Sequence, residues 1–389
     1  MKYLRLFLLL MLCLSSCGTK EVQESAETSI KSVTFEKLDS IRIDYLGNPI
    51  VHDIDPISNT VLFMEFMEFS NDIMLADFEG NILNSFSKSG DFPDSYGSLI
   101  STLRIDSDSS FFAYGSNGLL RYDFSGKLLS KVDHHDFQPP IFKHIAMRFG
   151  MEKIGDRYIF EEQDYRGLNP RDNDHYKNLY LLSWLDPETG EKEPFLQVPE
   201  KSIFRNGKYF FGNSWKPIFT VSEDVIYVAF GIEPVIYAFK STPPYSLVKR
   251  IPLDLEQYEY FKGGNDYRSI ADFMHLRNST GRIETIKRIN GYYVVAYFPG
   301  FNKVDIDQSL MNKSSEEAKV FRERMQKKYP NRIAILDSLG NRLNDFVPMG
   351  LVAEEMLLRN GELWMLEKPD EEVENDYFRL FRVGLKVVE

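Results

Sequence analysis

The chain predicts an all-β fold, with six four-stranded antiparallel blades set radially in a closed ring: a six-bladed β-propeller. Two observations lead there. A strand–turn–strand pattern, NDIMLADFEGNILNSF at Asn71–Phe86, returns as GLLRYDFSGKLLSKV at Gly118–Val132 and NLYLLSWLDPETGEKEPFLQV at Asn178–Val198. It returns again as PVIYAFKSTPPYSLVKRI at Pro234–Ile251 and RIAILDSLGNRLNDFV at Arg332–Val347. A last copy, YFRLFRVGLKVV at Tyr377–Val388, stops after one strand, while VTFEKLDSIRIDY at Val33–Tyr45 is a strand without a repeat of its own. Such a strand completes the last blade and pairs edges that would otherwise invite aggregation.

The elements follow in blocks of four. Block one has strands at Ile50–Ile54, Thr60–Phe66, Asp72–Phe78 and Asn81–Phe86; block two has them at Ser101–Ile105, Ser110–Tyr114, Gly118–Phe124 and Lys127–Val132. Block three reads Phe142–Lys153, Arg157–Glu162, Leu179–Leu185 and Pro194–Val198. Block four reads Lys216–Val221, Asp224–Phe230, Pro234–Phe239 and Leu247–Pro252. Block five reads Arg282–Ile289, Gly291–Phe298, Arg332–Asp337 and Arg342–Val347, and block six supplies Ala353–Leu358, Glu362–Glu367 and Phe378–Val387. With 30 Phe and 21 Tyr the composition suits strands. One short helix is expected within block five, where Ser314 and Glu317 form a capping box and Pro330 ends the segment.

Ahead of the ring, Lys2 and Arg5 precede an apolar run from Leu6 to Leu14, too short to span a bilayer, so residues 1–16 read as a secretory signal. Leu14-Ser15-Ser16-Cys17 resembles the lipobox of bacterial lipoproteins, which implies cleavage before Cys17 and acylation of its sulfur. Each buried methylene of such a chain contributes roughly 0.8 kcal/mol of membrane affinity. Residues 17–31 then form the lipidated Cys and a flexible polar tether, and residues 32–389 the ring. Cys13 leaves with the signal, so the mature chain has no free thiol for a disulfide, a thiolate metal site or a nucleophile. Gly18 after the Cys resembles the sorting pattern that favours the outer over the inner membrane. The net charge of -12 makes nucleic acid an unfavourable partner, and a monomer is expected.

The phrase LADFEGNILNSFSKSGDFPDSYG at Leu75–Gly97 resembles the repeat of NHL-like and TolB-like propellers. With the lipobox, the whole chain resembles the six-bladed propeller lipoproteins of Bacteroidetes, a group of unknown function. The resemblance is structural and carries no catalytic residue across.

In a four-stranded blade, the links between strands two and three, and from four into the next blade, share one end. The long pieces of this chain fall there: the stretches beginning at Ser87, Asp133, Gln163, Asp254 and Pro299. Long loops on one end of a rigid scaffold are where binding residues gather. The candidates at that end are His134, His135, Arg166, Arg171, His175, Tyr258, Tyr260, Tyr267 and Arg268. The tyrosines suit stacking on a sugar or peptide, or simple cover of the rim; the arginines suit an anionic ligand. The histidines, with Asp172 and Asp174, lack the spacing of a metal motif, and no metal, cofactor or catalytic set is assigned. Asp53, Asp55, Asp106 and Asp108 read as turn residues. The expectation is a non-catalytic, envelope-anchored protein whose long-loop face binds a small molecule, glycan, peptide or envelope protein. The alternative is an envelope hydrolase or lyase, lactonase-like or glycan-degrading, built on the same face. An enzyme would bring two or more of His134, His135, Asp172, Asp174 and His175 together over the central channel.

Overall fold

The structure is a computed structural model that describes residues 32–388, apart from 66–71, 135–146, 162–168, 170–171, 173–174, 271–272, 312, 371–372 and 374. Twenty-four strands form six four-stranded antiparallel sheets. Blade one is β2 (Pro49–Asp55), β3 (Thr60–Glu65), β4 (Asp72–Asp77) and β5 (Ile82–Ser87). Blade two is β6 (Arg104–Ser107), β7 (Ser110–Gly115), β8 (Gly118–Asp123) and β9 (Leu128–Val132). Blade three is β10 (Glu152–Ile154), β11 (Arg157–Glu161), β12 (Tyr180–Leu185) and β13 (Lys192–Gln197). Blade four is β14 (Pro217–Ser222), β15 (Val225–Phe230), β16 (Val235–Lys240) and β17 (Leu247–Pro252). Blade five is β18 (Arg282–Ile289), β19 (Tyr292–Phe298), β20 (Arg332–Leu336) and β21 (Arg342–Phe346). Blade six is β22 (Leu351–Arg359), β23 (Glu362–Glu367) and β24 (Tyr377–Val388), completed on its outer edge by β1 (Ser32–Asp44).

The closing strand is therefore the N-terminal one. β1 runs antiparallel to β24 from Ser32 opposite Val388 to Asp44 opposite Tyr377, broken by one bulge between Lys37 and Asp39. The first strands meet around the axis: β2 packs on β6, β10 on β14, β14 on β18, β18 on β22, and β22 back on β2. The apolar core is divided into seams between neighbouring blades. Phe63 and Trp364 join blades one and six, Phe111 and Leu62 blades two and one, and Tyr158 and Tyr114 blades three and two. Trp184 and Phe230 join blades three and four, Tyr293 and Tyr227 blades five and four, and Met356 and Ile333 blades six and five. Each blade buries one face on each neighbour, so no blade has a core of its own.

The recurring Asp-x-x-Gly turn is what locks one blade to the next. Asp77 accepts the backbone N–H of Asn81 at 2.8 Å, and Gly80 sits at φ +92, where a side chain is strained. A Cβ on Gly80 would lie 2.0 Å from the carbonyl oxygen of Arg42 in β1, and one on Gly340 would lie 2.1 Å from that of Pro252 in β17. The glycine is required twice over, by the turn and by the outer strand of the preceding blade.

Four α-helical segments occur among the described residues, all in links on the long-loop end: α1 (His175–Asn178), α2 (Phe273–Ser279), α3 (Lys303–Ser309) and α4 (Ser315–Lys328). The expected helix is α4, and both halves of its capping box are made. The sequence reading took 303–309 as loop, yet α3 forms there because the Asn302 side chain caps it, accepting from the N–H of Asp305. Blade three also differs from expectation. Of its expected first strand, residues 142–146 lie outside the described residues, Met147–Phe149 form a 3-10 turn, and the described strand is Glu152–Ile154. No described helix is long and apolar enough to cross a membrane.

Candidate functional site

The first strands bring charges to the axis, where the sequence reading placed none. Asp53 of β2 accepts from Arg359 Nε at 2.8 Å and pairs with Arg104 of β6 at 3.3 Å; it also accepts the backbone N–H groups of Ile54 and Ile105. Arg359 of blade six reaches Glu152 of blade three, the opposite blade, at 3.2 Å, and Glu152 faces Lys287 of blade five at 3.9 Å. Residues from opposite blades touch only if they meet on the axis. Nearer the long-loop end, Arg148 from the 3-10 turn lies between Glu355 at 3.3 Å and Glu284 at 3.6 Å, and the N–H of Met147 donates to Glu355. The channel is thus plugged at two levels by alternating charge.

Burial sets the electrostatics of this plug. It pushes the carboxyls of Asp53, Glu152 and Glu355 up, Asp53 to about 6, and pulls the Lys287 ammonium down, while the facing opposite charges work against each shift. His52, beside Asp53, is buried and held neutral, its pKa lowered to about 3 by desolvation. Its Nδ1 accepts the N–H of Leu103 at 2.9 Å, so Nε2 carries the proton. Asp53 is therefore a channel residue and not a turn residue. Asp55 does serve its turn, accepting from Ser58, whereas Asp106 accepts from the Tyr158 hydroxyl at 2.7 Å across to the next blade. Charged residues do interrupt the first strands, as in PIVHDID and RIETIKRI, but the same pattern fits a surface strand.

The sequence-predicted site residues that the structure describes, His134, His175, Tyr258, Tyr260, Tyr267 and Arg268, have separate surroundings. His135, Arg166 and Arg171, like Asp174 and Cys17, lie outside the described residues. His134 is half-buried, its Nε2 2.6 Å from the carbonyl oxygen of Gly115 and its ring edge-on to Tyr114. His175, expected in an open loop, is buried at the start of α1 between Tyr176 and Trp215, with ring centroids at 5.0 and 5.4 Å. Desolvation lowers its pKa, opposed by Asp172. Among the described residues, neither ring nitrogen of His175 has a hydrogen-bond partner, nor does Nε1 of the neighbouring Trp215. Tyr258 donates its hydroxyl to the carbonyl oxygen of Ile232 and packs on Tyr260, which rests against the seam of blades three and four. Tyr267 meets Tyr209 edge-on. Arg268, considered as a buried anion partner, is 90 % exposed and pairs with Asp266. The tyrosines cover the rim in place of forming one platform. Among the described residues, no three His, Cys, Asp or Glu are placed to hold a metal ion.

One concavity of the long-loop end lies between the blade-five insertion and blade six: a cleft of about 870 Å³. Its first wall is the insertion, where Phe298 and Phe301 pack with Met325 and Tyr329, and Phe321 lies against them. Asp305 ties this wall together, accepting from Tyr329 Oη at 2.5 Å and Lys328 Nζ at 2.6 Å; these bonds hold its carboxyl below the usual range. The second wall is the start of blade six, with Val347, Leu351, Val352 and Ala353. Arg282, Arg322, Lys368 and Glu354 supply the lining's charges. His275 Nδ1 lies 3.1 Å from Ser309 Oγ in the same lining, but the Ser309 hydroxyl donates to the Ile306 carbonyl at 2.7 Å. The imidazole is then the donor, the reverse of what activation of a serine nucleophile requires. The lining mixes apolar side chains with polar ones, so the cleft offers both kinds of contact to a small molecule.

No family model and no curated protein sequence matches the chain. Among solved structures, it is similar to a member of the DUF4221 family from Bacteroides vulgatus, with a TM-score of 0.69 at 11% identity, over 92% of this chain and 99% of that one. A Bacteroides fragilis protein aligns at a TM-score of 0.48 and 12% identity, over 92% of this chain and 96% of that one. A gluconolactonase from Xanthomonas campestris aligns at 0.40 and 10%, over 91% and 95%. The first of these shares the fold. The protein is a six-bladed β-propeller, a fold it shares with the Bacteroides vulgatus protein.

Proposed function

We propose that this protein is a non-catalytic, lipid-anchored binding protein of the bacterial envelope, held by acylated Cys17 at the outer membrane, with its ligand site in the cleft between the blade-five insertion and blade six. The cleft carries this reading: it is roomy, lined by both apolar and charged side chains, and placed on the long-loop end. Topology supports the anchoring side. Ser32, where the tether joins, lies with Val388 at the sheet end of the Asn360–Gly361 turn, and the cleft opens at the other end. Catalysis is disfavoured by the channel, where Asp53, Glu152, Glu284 and Glu355 each face a guanidinium or ammonium group, and by the direction of the Ser309 hydroxyl bond.

Two measurements test the two halves. Cys17→Ala is expected to move the protein from the membrane to the soluble fraction; continued tight anchoring refutes the lipoprotein assignment. Calorimetric screening of residues 32–389 against glycans, peptides and small metabolites is expected to find a ligand whose binding is abolished by Val352→Trp, which fills the cleft. A ligand that binds the variant equally well places the site elsewhere.

A further inference from the structure

Resting on the cleft as the binding site, we infer that its ligand is a small anionic amphiphile: an apolar or aromatic body carrying a carboxylate, phosphate or sulfonate group. The lining holds three cations and a single carboxylate, Glu354, in a chain whose net charge is -12. The three cations are not equivalent. Arg282 is already occupied, with its Nε 2.6 Å from Glu284, Nη1 donating to the Arg277 carbonyl, and the guanidinium over the Phe298 ring at 4.6 Å. Among the described residues, Arg322, on the insertion wall, and Lys368, on the blade-six wall, have no ion-pair partner. This contrasts with the rest of the inner surface, where Arg104, Arg148, Lys287 and Arg359 each face a carboxylate.

Two cations from opposite walls, in a lining shared with Phe321, Met325, Val352 and Leu351, match a ligand with a charged head and an apolar body. The cation at each wall attracts the head, while the apolar part of the lining strengthens that attraction by excluding water. The cleft volume of about 870 Å³ holds a molecule of drug size and excludes a folded domain.

The test uses two probes of the same apolar body: 8-anilinonaphthalene-1-sulfonate, and N-phenyl-1-naphthylamine, which lacks the sulfonate. Residues 32–389, which contain the closed ring and its seams, are titrated with each. The expected result is one site per chain, with the sulfonate probe bound at least tenfold more tightly and weakened by added salt. The double variant Arg322→Glu/Lys368→Glu is expected to weaken the sulfonate probe at least tenfold and leave the uncharged probe unchanged. Equal affinity for both probes, unmoved by the charge reversal, overturns the anionic ligand while leaving the cleft as the site. Persistence of both probes in Val352→Trp, and in Asn278→Trp, which blocks the mouth from the exposed side of α2, overturns the cleft reading itself. Melting curves of each variant verify that the ring is intact.

Discussion

The central channel and the lateral cleft are both charged, and they differ in whether the charges are answered. In the channel, Asp53 takes two guanidinium groups and two backbone N–H groups, and Arg359 spans the axis to Glu152. In the cleft, Arg322 and Lys368 have no ion-pair partner among the described residues, and Glu354 is the one carboxylate that shares their lining. A buried charge that faces its opposite holds blades together and is already neutralised. A cation without such a partner contributes no pairing to the fold and is available. The channel is where propeller symmetry draws attention, but in this protein it is a structural plug, and the broken symmetry of blade five makes the site.

The comparison breaks first at Asp53. Asp53→Asn leaves Arg104 and Arg359 buried beside a neutral amide, and removing one partner of a buried pair costs about 3–5 kcal/mol. The expected outcome is a large loss of stability in chemical denaturation, with cleft binding unaltered under conditions where the ring is folded. A loss below about 1 kcal/mol would mean that water enters the channel and that the plug is not sealed.

His52 sharpens the same point through pH. In the unfolded chain it takes a proton below its ordinary value of 6.5, whereas folded it refuses one until about 3. Between those values the unfolded state binds more protons, so stability from the neutral ring is complete above pH 6.5 and is lost as pH falls toward 3. His52→Gln retains an acceptor for Leu103 but does not titrate. The stability of the native protein relative to this variant is expected to fall by about 1.4 kcal/mol per pH unit below 6.5. A difference that stays constant from pH 7 to 4 would show that His52 protonates freely and is not sealed in.

How much of this was legible in the sequence follows the same division. The period-two strands, the Asp-x-x-Gly turns and the unpaired strand at Val33–Tyr45 determine the ring, because each is a local pattern with a single geometric solution. The capping box at Ser314 marked α4 for the same reason, and Asn302 with Asp305 was a second, quieter cap at α3. The site was not legible, since its walls come from Phe321 and Val352, distant in the chain and joined only when blade six docks on blade five. Sequence attention went to rarer residues, the histidines and clustered tyrosines. Folding buries His175 beside Trp215 and spends Tyr258 on the carbonyl of Ile232. Nor does a strand reveal that its charges point inward: RIETIKRI reads as a surface strand until β18 is placed on the axis.

The smallest expected effect is the most discriminating. Arg322→Ala removes an exposed guanidinium that has no ion-pair partner among the described residues, from the face of α4 that lines the cleft. Arg and Ala have similar helix propensities, so the substitution is expected to change stability by no more than about 0.5 kcal/mol. A residue that contributes nothing to the fold, yet whose loss weakens the anionic probe, is placed for the ligand. If Arg322→Ala instead destabilises the ring by 2 kcal/mol or more, its guanidinium is answered by the protein itself, and the contrast between plug and cleft disappears.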